Sequence, residues 1–496
     1  MKKIIILCFF FSIILCEKIP NNITTITKLP KCKVNNDCLR NHICKNGFCK
    51  HKGFLPPNLS QIIEIILMCL LSTVSTAAGV GGGAIYSALL MFIENFDAQI
   101  AFPISSFSIL ICSCITFYLG VIDKINDPKM KFIDYDLVII FCPSLLLGTK
   151  IGVILNGIFP ALILICFLII SLSFSCYKTY KNALKIQKRE KELSNLENTK
   201  NLKKSFLLDF ENIPTINERE SIDIINLNNS INNNKSLERK FSKSYLEEVY
   251  STTDLFNSVN SPIRIERIKW ILLLQLCMLL DQLLEGSKKL ASIINIEKCS
   301  KYFWGIFILF ISFCLGFTKI FYSKIKDEAK IEPSPLLVES PNEFNITSPK
   351  VEQKVFKIVF YCFLAGVISG MLGIGGGILM APLMLELGVN TSVATATSNF
   401  FLIFTSFSNT CLYMMAGNLV LSYALMFGFF CGISSFFGNN ILINHVHKTK
   451  KQSPLIWTLF VITLLSLIIL PINAIKHALY DLKIGKSILM FNNFCE

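Results

Sequence analysis

Apolar residues along the chain gather into twelve runs, at about 61–78, 81–94, 100–122, 136–155, 158–177, 268–284, 300–322, 355–373, 376–389, 393–416, 420–443 and 455–474. A helix needs about 20 residues to cross the hydrocarbon core, so most of these runs predict membrane-spanning helices. The runs at 81–94 and 376–389 are short for a full span. Two polar stretches interrupt the series. The first, 178–266, is rich in Asn, Lys, Ser and Glu without sustained periodicity and predicts a mostly disordered loop; the second covers 323–354.

Composition agrees with the pattern. The chain has 496 residues, 52% hydrophobic and 17% charged. With a mean hydropathy of +0.54, a soluble globule would expose too much apolar surface, so the lipid bilayer is the expected partner. The expected class is an all-α polytopic membrane protein. The formal charge of +14 lies in loops beside the apolar runs. That is the positive-inside distribution, and no nucleic-acid partner is expected.

The two five-run blocks resemble one another. GVGGGAIYSALLMF (79–92) matches GIGGGILMAPLMLEL (373–387), and AQIAFPISSF (98–107) matches TSVATATSNF (391–400). Ser105 thereby corresponds to Ser398, and Phe107 to Phe400. The loop at 178–266 opens with Lys178, Lys181, Lys185, Lys188 and Arg189 and closes with Arg264, Arg267 and Lys269, which places it in the cytoplasm. With an exoplasmic N-terminus, an odd number of crossings must precede that loop. Five fit, so the short segment 81–94 crosses. Two linking helices then start the second block from the opposite face, which predicts two inverted-topology repeats with short Gly-led broken helices and about twelve crossings.

Consecutive glycines in a membrane segment need a reason, because each costs about 1 kcal/mol in a helix relative to Ala. Gly81, Gly82 and Gly83, and Gly375, Gly376 and Gly377, predict helix breaks whose freed amides a small anion would complete at a half-helix N-terminus. Close packing is the alternative, and it is the favoured reading for Gly148-x-x-x-Gly152 and Gly428-x-x-x-Gly432. Hydroxyl and amide stripes follow each triplet: Ser105, Ser108, Cys112 and Thr116, then Thr395, Ser398, Thr405 and Asn409. Of these helices' polar residues, Ser105, Ser106, Ser398 and Asn399 are singled out for the anion because they recur at matched places. Back-bonding to the preceding turn is the alternative for the stripes. Lys150, inside the run 136–155, could attract an anion. Glu64, Glu94 and Glu386 are expected at interfacial water, and Asp281 and Glu285 near the exoplasmic surface. A coupling proton or ion is a further candidate partner, with no carboxylate singled out for it.

At the N-terminus, MKKIIILCFFFSIILC (1–16) fits a signal peptide, with an uncleaved anchor as the alternative. The segment 17–57 carries Cys32, Cys38, Cys44 and Cys49 at C-x5-C-x5-C-x4-C spacing, which reads as a small disulfide knot of undetermined pairing. Zinc is disfavoured because no CxxC pair occurs, and no metal or cofactor is expected. Asn22 opens a glycosylation sequon on the same side. The remaining divisions are repeat 1 (58–177), the polar loop (178–266), two linking helices (267–322), a second loop (323–354), repeat 2 (355–475) and a C-terminal tail (476–496).

The twin GxGGG segments, each followed by a Ser- or Asn-bearing helix, resemble the TauE/SafE family of sulfite and organosulfonate exporters. GTKIGVILNGIFP (148–160) and IKWILLLQLCMLLDQLL (268–284) look like its longer eukaryotic branch. The resemblance covers about 58–178 and 268–475, and implies movement of sulfur-containing anions such as sulfite. The second repeat has Pro382 where the family pattern expects a proline; the first has Ser87 or Ala88 near that place.

No GxxxxGK[ST] motif is present, so the expected activity is secondary transport in a plasma membrane or endomembrane. No catalytic residues are predicted: the five histidines lie outside or at the ends of the runs, without HExxH or a nucleophile–base set. The alternatives are a transporter of another small solute or ion, and a surface receptor displaying the Cys-rich module.

Overall fold

A computed structural model of the protein describes residues 42–45, 48–51, 59–77, 79, 81–126, 133–211, 262–286, 296, 299–331, 349–387, 389, 391–449, 453–483 and 491. A short hairpin, β1 (His42–Lys45) and β2 (Phe48–His51), pairs antiparallel with Cys44 opposite Cys49. Residues 1–16, Asn22, Cys32 and Cys38 lie outside the described residues, as do the side chains of Cys44 and Cys49.

The described helices are α1 (Leu59–Ala77), α2 (Gly83–Ile93), α3 (Ala98–Asn126), α4 (Tyr135–Ile158), α5 (Ala161–Glu211), α6 (Pro262–Glu285), α7 (Lys301–Ile331), α8 (Pro349–Leu372), α9 (Gly377–Glu386), α10 (Thr391–Ala416), α11 (Leu421–Thr449) and α12 (Ser453–Lys483). Each apolar run falls on one of them. The protein is an all-α polytopic membrane protein. Six helices (α1, α3, α4, α5, α7 and α11) are long and apolar enough to cross a membrane. The hydroxyl- and amide-rich α10 is not among these six, yet it is buried among other helices, so it meets little lipid.

The polar stretches are more helical than expected. α5 continues to Glu211, because KNALKIQKREKELSNLENTKNLKK is rich in Lys, Leu, Glu and Gln and extends a helix already nucleated in the apolar segment. Residues 212–261 lie outside the described set. Likewise α7 runs on to Ile331, and α12 runs past 475 to Lys483.

The halves interlock in a pattern preserved when they are exchanged. Taking α1–α5 and α8–α12 as equivalent series, α4 packs on α8 as α11 packs on α1, and α3 packs on α11 as α10 packs on α4. The self-equivalent pairs α3–α10 and α5–α12 also pack together. The α4–α8 seam is backbone against backbone: a Cβ at Gly148 would overlap the carbonyl of Phe363, and one at Gly366 that of Leu145. Gly148 and Gly152 thus pack as expected, and Gly428 and Gly432 lie against Ile111 of α3 in the same role. Apolar side chains such as Ile308, Leu309 and Ile320 on α7 and Ile468 on α12 are exposed and face lipid.

Candidate functional site at the two helix breaks

The chain leaves helical geometry twice where the glycines predict it, between α1 and α2 and between α8 and α9. Gly79 has φ +76° and Gly373 φ +59°, a region that L side chains rarely adopt. Each is also crowded by the opposite half. A Cβ at Gly79 would stand 2.7 Å from the Thr395 side chain, and one at Gly373 would overlap the carbonyl of Phe102. Phe102 and Thr395 are equivalent, each three residues before the matched serines.

Breaking α1 and α8 frees their terminal carbonyls, which have no intrahelical partner. Buried side chains from neighbouring helices take them up. At the end of α8, Asn409 Nδ2 donates to Ser369 O (3.3 Å), the Tyr413 hydroxyl to Gly370 O, and Asn156 Nδ2 to Met371 O (2.7 Å). Ser105 Oγ and Ser106 Oγ donate to Gly373 O at 3.0 and 3.2 Å. At the end of α1, Asn399 Nδ2 donates to Thr76 O (3.3 Å) and Ser398 Oγ to Gly79 O (2.9 Å). The stripes named from sequence therefore divide. Ser105, Ser106, Ser398, Asn399 and Asn409 reach the broken helix ends, whereas Ser108, Thr116 and Thr405 bond back to Ile104, Cys112 and Phe401 of their own helices.

The donor side is different. Ile85 and Tyr86 donate to Gly82 O, and Leu379 and Met380 to Gly376 O, which starts each half-helix. The amides of Gly81, Gly82 and Gly83, and of Gly375, Gly376 and Gly377, donate to no acceptor among the described residues. The two sets lie close together: a Cβ at Gly83 would come 2.8 Å from Ile374 O, and the side chains of Ile109 and Leu402 line both triplets. Buried backbone donors without acceptors are uncommon in proteins. The glycine amides sit at the positive ends of α2 and α9, side by side. Pro382 is buried inside α9, and the nearby Ser87 of α2 bonds back to Ala84 O at 3.0 Å.

Lys150 is fully buried on α4, and its ammonium pairs with Asp281 and with Glu285 Oε1 (2.7 Å), both on α6. It also lies over the rings of Phe307 and Phe310 of α7, 4.9 and 4.8 Å from their centroids. Spacing at i and i+4 puts both acids on one face of α6. Both are buried, because α4 and α7 pack over that end of α6. One ammonium against two carboxylates is not a positive site, so the structure engages Lys150 otherwise than as an open anion attractor. Glu64 and Glu94 are likewise buried rather than at interfacial water, since α11 of the other half covers them.

The profile of the family described as "Sulfite exporter TauE/SafE" matches residues 60–207 and 284–470. The chain belongs to the TauE/SafE family. Among curated relatives, "Sulfite exporter TauE/SafE family protein 2" of Arabidopsis thaliana is 24% identical over 83% of this chain and 82% of its own. "Sulfite exporter TauE/SafE family protein 5" of the same plant is 26% identical, again over 83% and 82%. No solved structure matches the chain. Among TauE/SafE proteins this one is a multi-pass membrane transport protein, and the glycine breaks lie inside the matched regions.

Proposed function

We propose that the protein is a secondary transporter that binds a small sulfur-containing oxyanion, such as sulfite or a sulfonate, between its two glycine breaks. One observation carries the reading: side chains satisfy the freed carbonyls, whereas the glycine amides at the head of each half-helix donate to no acceptor among the described residues. An oxyanion supplies what they lack and gains from both helix dipoles. Ser105, Ser106, Ser398 and Asn399 act here as positioning groups that fix the carbonyls and so aim the amides. The sulfur character of the anion rests on the family and on the names of its relatives.

Exchange of the halves would expose this site to each side in turn. With residues 17–57 exoplasmic and 178–266 cytoplasmic, the odd number of segments in each half makes the repeats inverted, the usual frame for alternating access. α2 returns alongside α1, because Gln61 near the start of α1 bonds Glu94 at the end of α2. That return supports an odd number of crossings in this half.

Reconstituted protein should move labelled sulfite or a short sulfonate across vesicles. Flux of none of a panel of sulfur oxyanions, by protein that is folded and oriented, would remove the substrate assignment.

A further inference from the structure

Glu64 on α1 is fully buried, and neither of its carboxylate oxygens has a hydrogen-bond partner among the described residues. Glu94, also fully buried, lies at the end of α2 against the same turn of α1, where Gln61, three residues before Glu64, bonds it. Gln61 Nε2 links the cluster to the other half, lying 3.3 Å from Glu94 Oε2 and 3.0 Å from the Tyr423 hydroxyl of α11. No cation pairs with Glu64 among the described residues. Among the described residues, the other buried titratable side chains on elements packed against α1 are Tyr86 of α2, Cys112 of α3, and Tyr423 and Cys431 of α11. None of them is a cation. α12 brings buried Thr463 and Ser466 and no titratable side chain among its described buried residues.

An ionised carboxylate without water or donors carries a penalty of several kcal/mol, and a second carboxylate nearby adds repulsion. A proton on Glu64 relieves both. A metal cation fits worse: the Gln61 amide hydrogens occupy the space between Glu94 and Tyr423, and no group of three or more His, Cys, Asp or Glu ligands is assembled among the described residues. The feature is also one-sided. Glu64 lies fifteen residues before Gly79, and the residue fifteen before Gly373 is Ile358.

We propose that Glu64, facing Glu94, is a proton-binding site that loads from water on one side of the membrane and empties to the other during the transport cycle. Binding turns carboxylate and hydronium into carboxylic acid and water, and release reverses it. Proton binding stands on this geometry alone; its coupling to flux rests on the transport reading above.

Infrared difference spectra of the full-length protein in nanodiscs test the binding. The C=O stretch of a protonated carboxylic acid is expected at neutral pH, absent in Glu64→Gln and retained in the exposed control Glu266→Gln. In Glu94→Gln, which keeps the acid but removes its neighbour's charge, the band should persist only at lower pH. A band that survives Glu64→Gln, a spectrum without it at any pH where the protein is folded, or its loss on adding sodium would overturn the proposal. In vesicles a pH gradient should speed sulfite flux through the native protein, and Glu64→Gln should keep the flux but lose the acceleration. Native flux indifferent to the gradient would overturn coupling. If no sulfur anion moves at all, the substrate assignment fails while the spectra still decide the proton site.

Discussion

Ser105 and Ser398 hold equivalent positions in the two halves, and each reaches one carbonyl of its own half and one of the other. Ser105 Oγ lies 2.9 Å from Gly83 O and 3.0 Å from Gly373 O; Ser398 Oγ lies 2.9 Å from Gly79 O and 3.3 Å from Gly377 O. Exchanging the halves turns one set of contacts into the other.

Equal roles predict equal losses. Ser105→Ala takes the side-chain donor from Gly83 O and leaves Gly373 O to Ser106, and Ser398→Ala takes the donor from Gly79 O and Gly377 O, a loss of about 1–3 kcal/mol in each case. Thermal unfolding of the purified protein should drop by a similar amount for both. A large effect from one and none from the other would contradict the exchange relation.

Gly373→Ala should be far more severe than a helix-propensity change. Its positive φ disfavours a Cβ by about 1–2 kcal/mol, and the new methyl would overlap the Phe102 carbonyl. We expect little monodisperse protein by fluorescence-detected size exclusion. Gly305→Ala, where no atom lies within 4 Å of the added Cβ, should behave like the native chain.

The α4–α8 seam gives a parallel contrast. Gly366→Ala drives a methyl into the Leu145 carbonyl and should force the seam apart, lowering the melting temperature. Gly316→Ala on lipid-facing α7 meets nothing within 4 Å and should be neutral or slightly stabilising.

Lys150→Met should destabilise by about 3–5 kcal/mol, because Asp281 and Glu285 would stay buried without their cation. Adding Asp281→Asn and Glu285→Gln to it should restore most of the loss in thermal unfolding. An anion-attracting Lys150 would behave differently: its removal would change apparent substrate affinity with little effect on stability.

Much of this was readable in the residues. The glycine triplets announce the breaks, since no other composition explains three consecutive helix-weakening residues in an apolar segment. The matched Ser105 and Ser398 stood out through duplication. Partners brought by tertiary packing were not readable. Asp281 and Glu285 sit at the end of an apolar run, and only the packing of α4 and α7 over that end shows them to be buried against Lys150. Glu64 looks interfacial until α11 covers it. Asn156 and Tyr413 carry no periodic signal, because their acceptors are the freed carbonyls of another helix. The tail of α5 was missed because a polar continuation of an apolar helix has no hydrophobic period.

The forked contact of each serine bears on how the halves could part. Should the seam open, Ser105 still has Gly83 and Ser398 still has Gly377 within its own half. Neither hydroxyl is stranded; what these two serines let go is the carbonyls of Gly79 and Gly373. The joint is thus a latch that can slip without leaving its own bolt exposed.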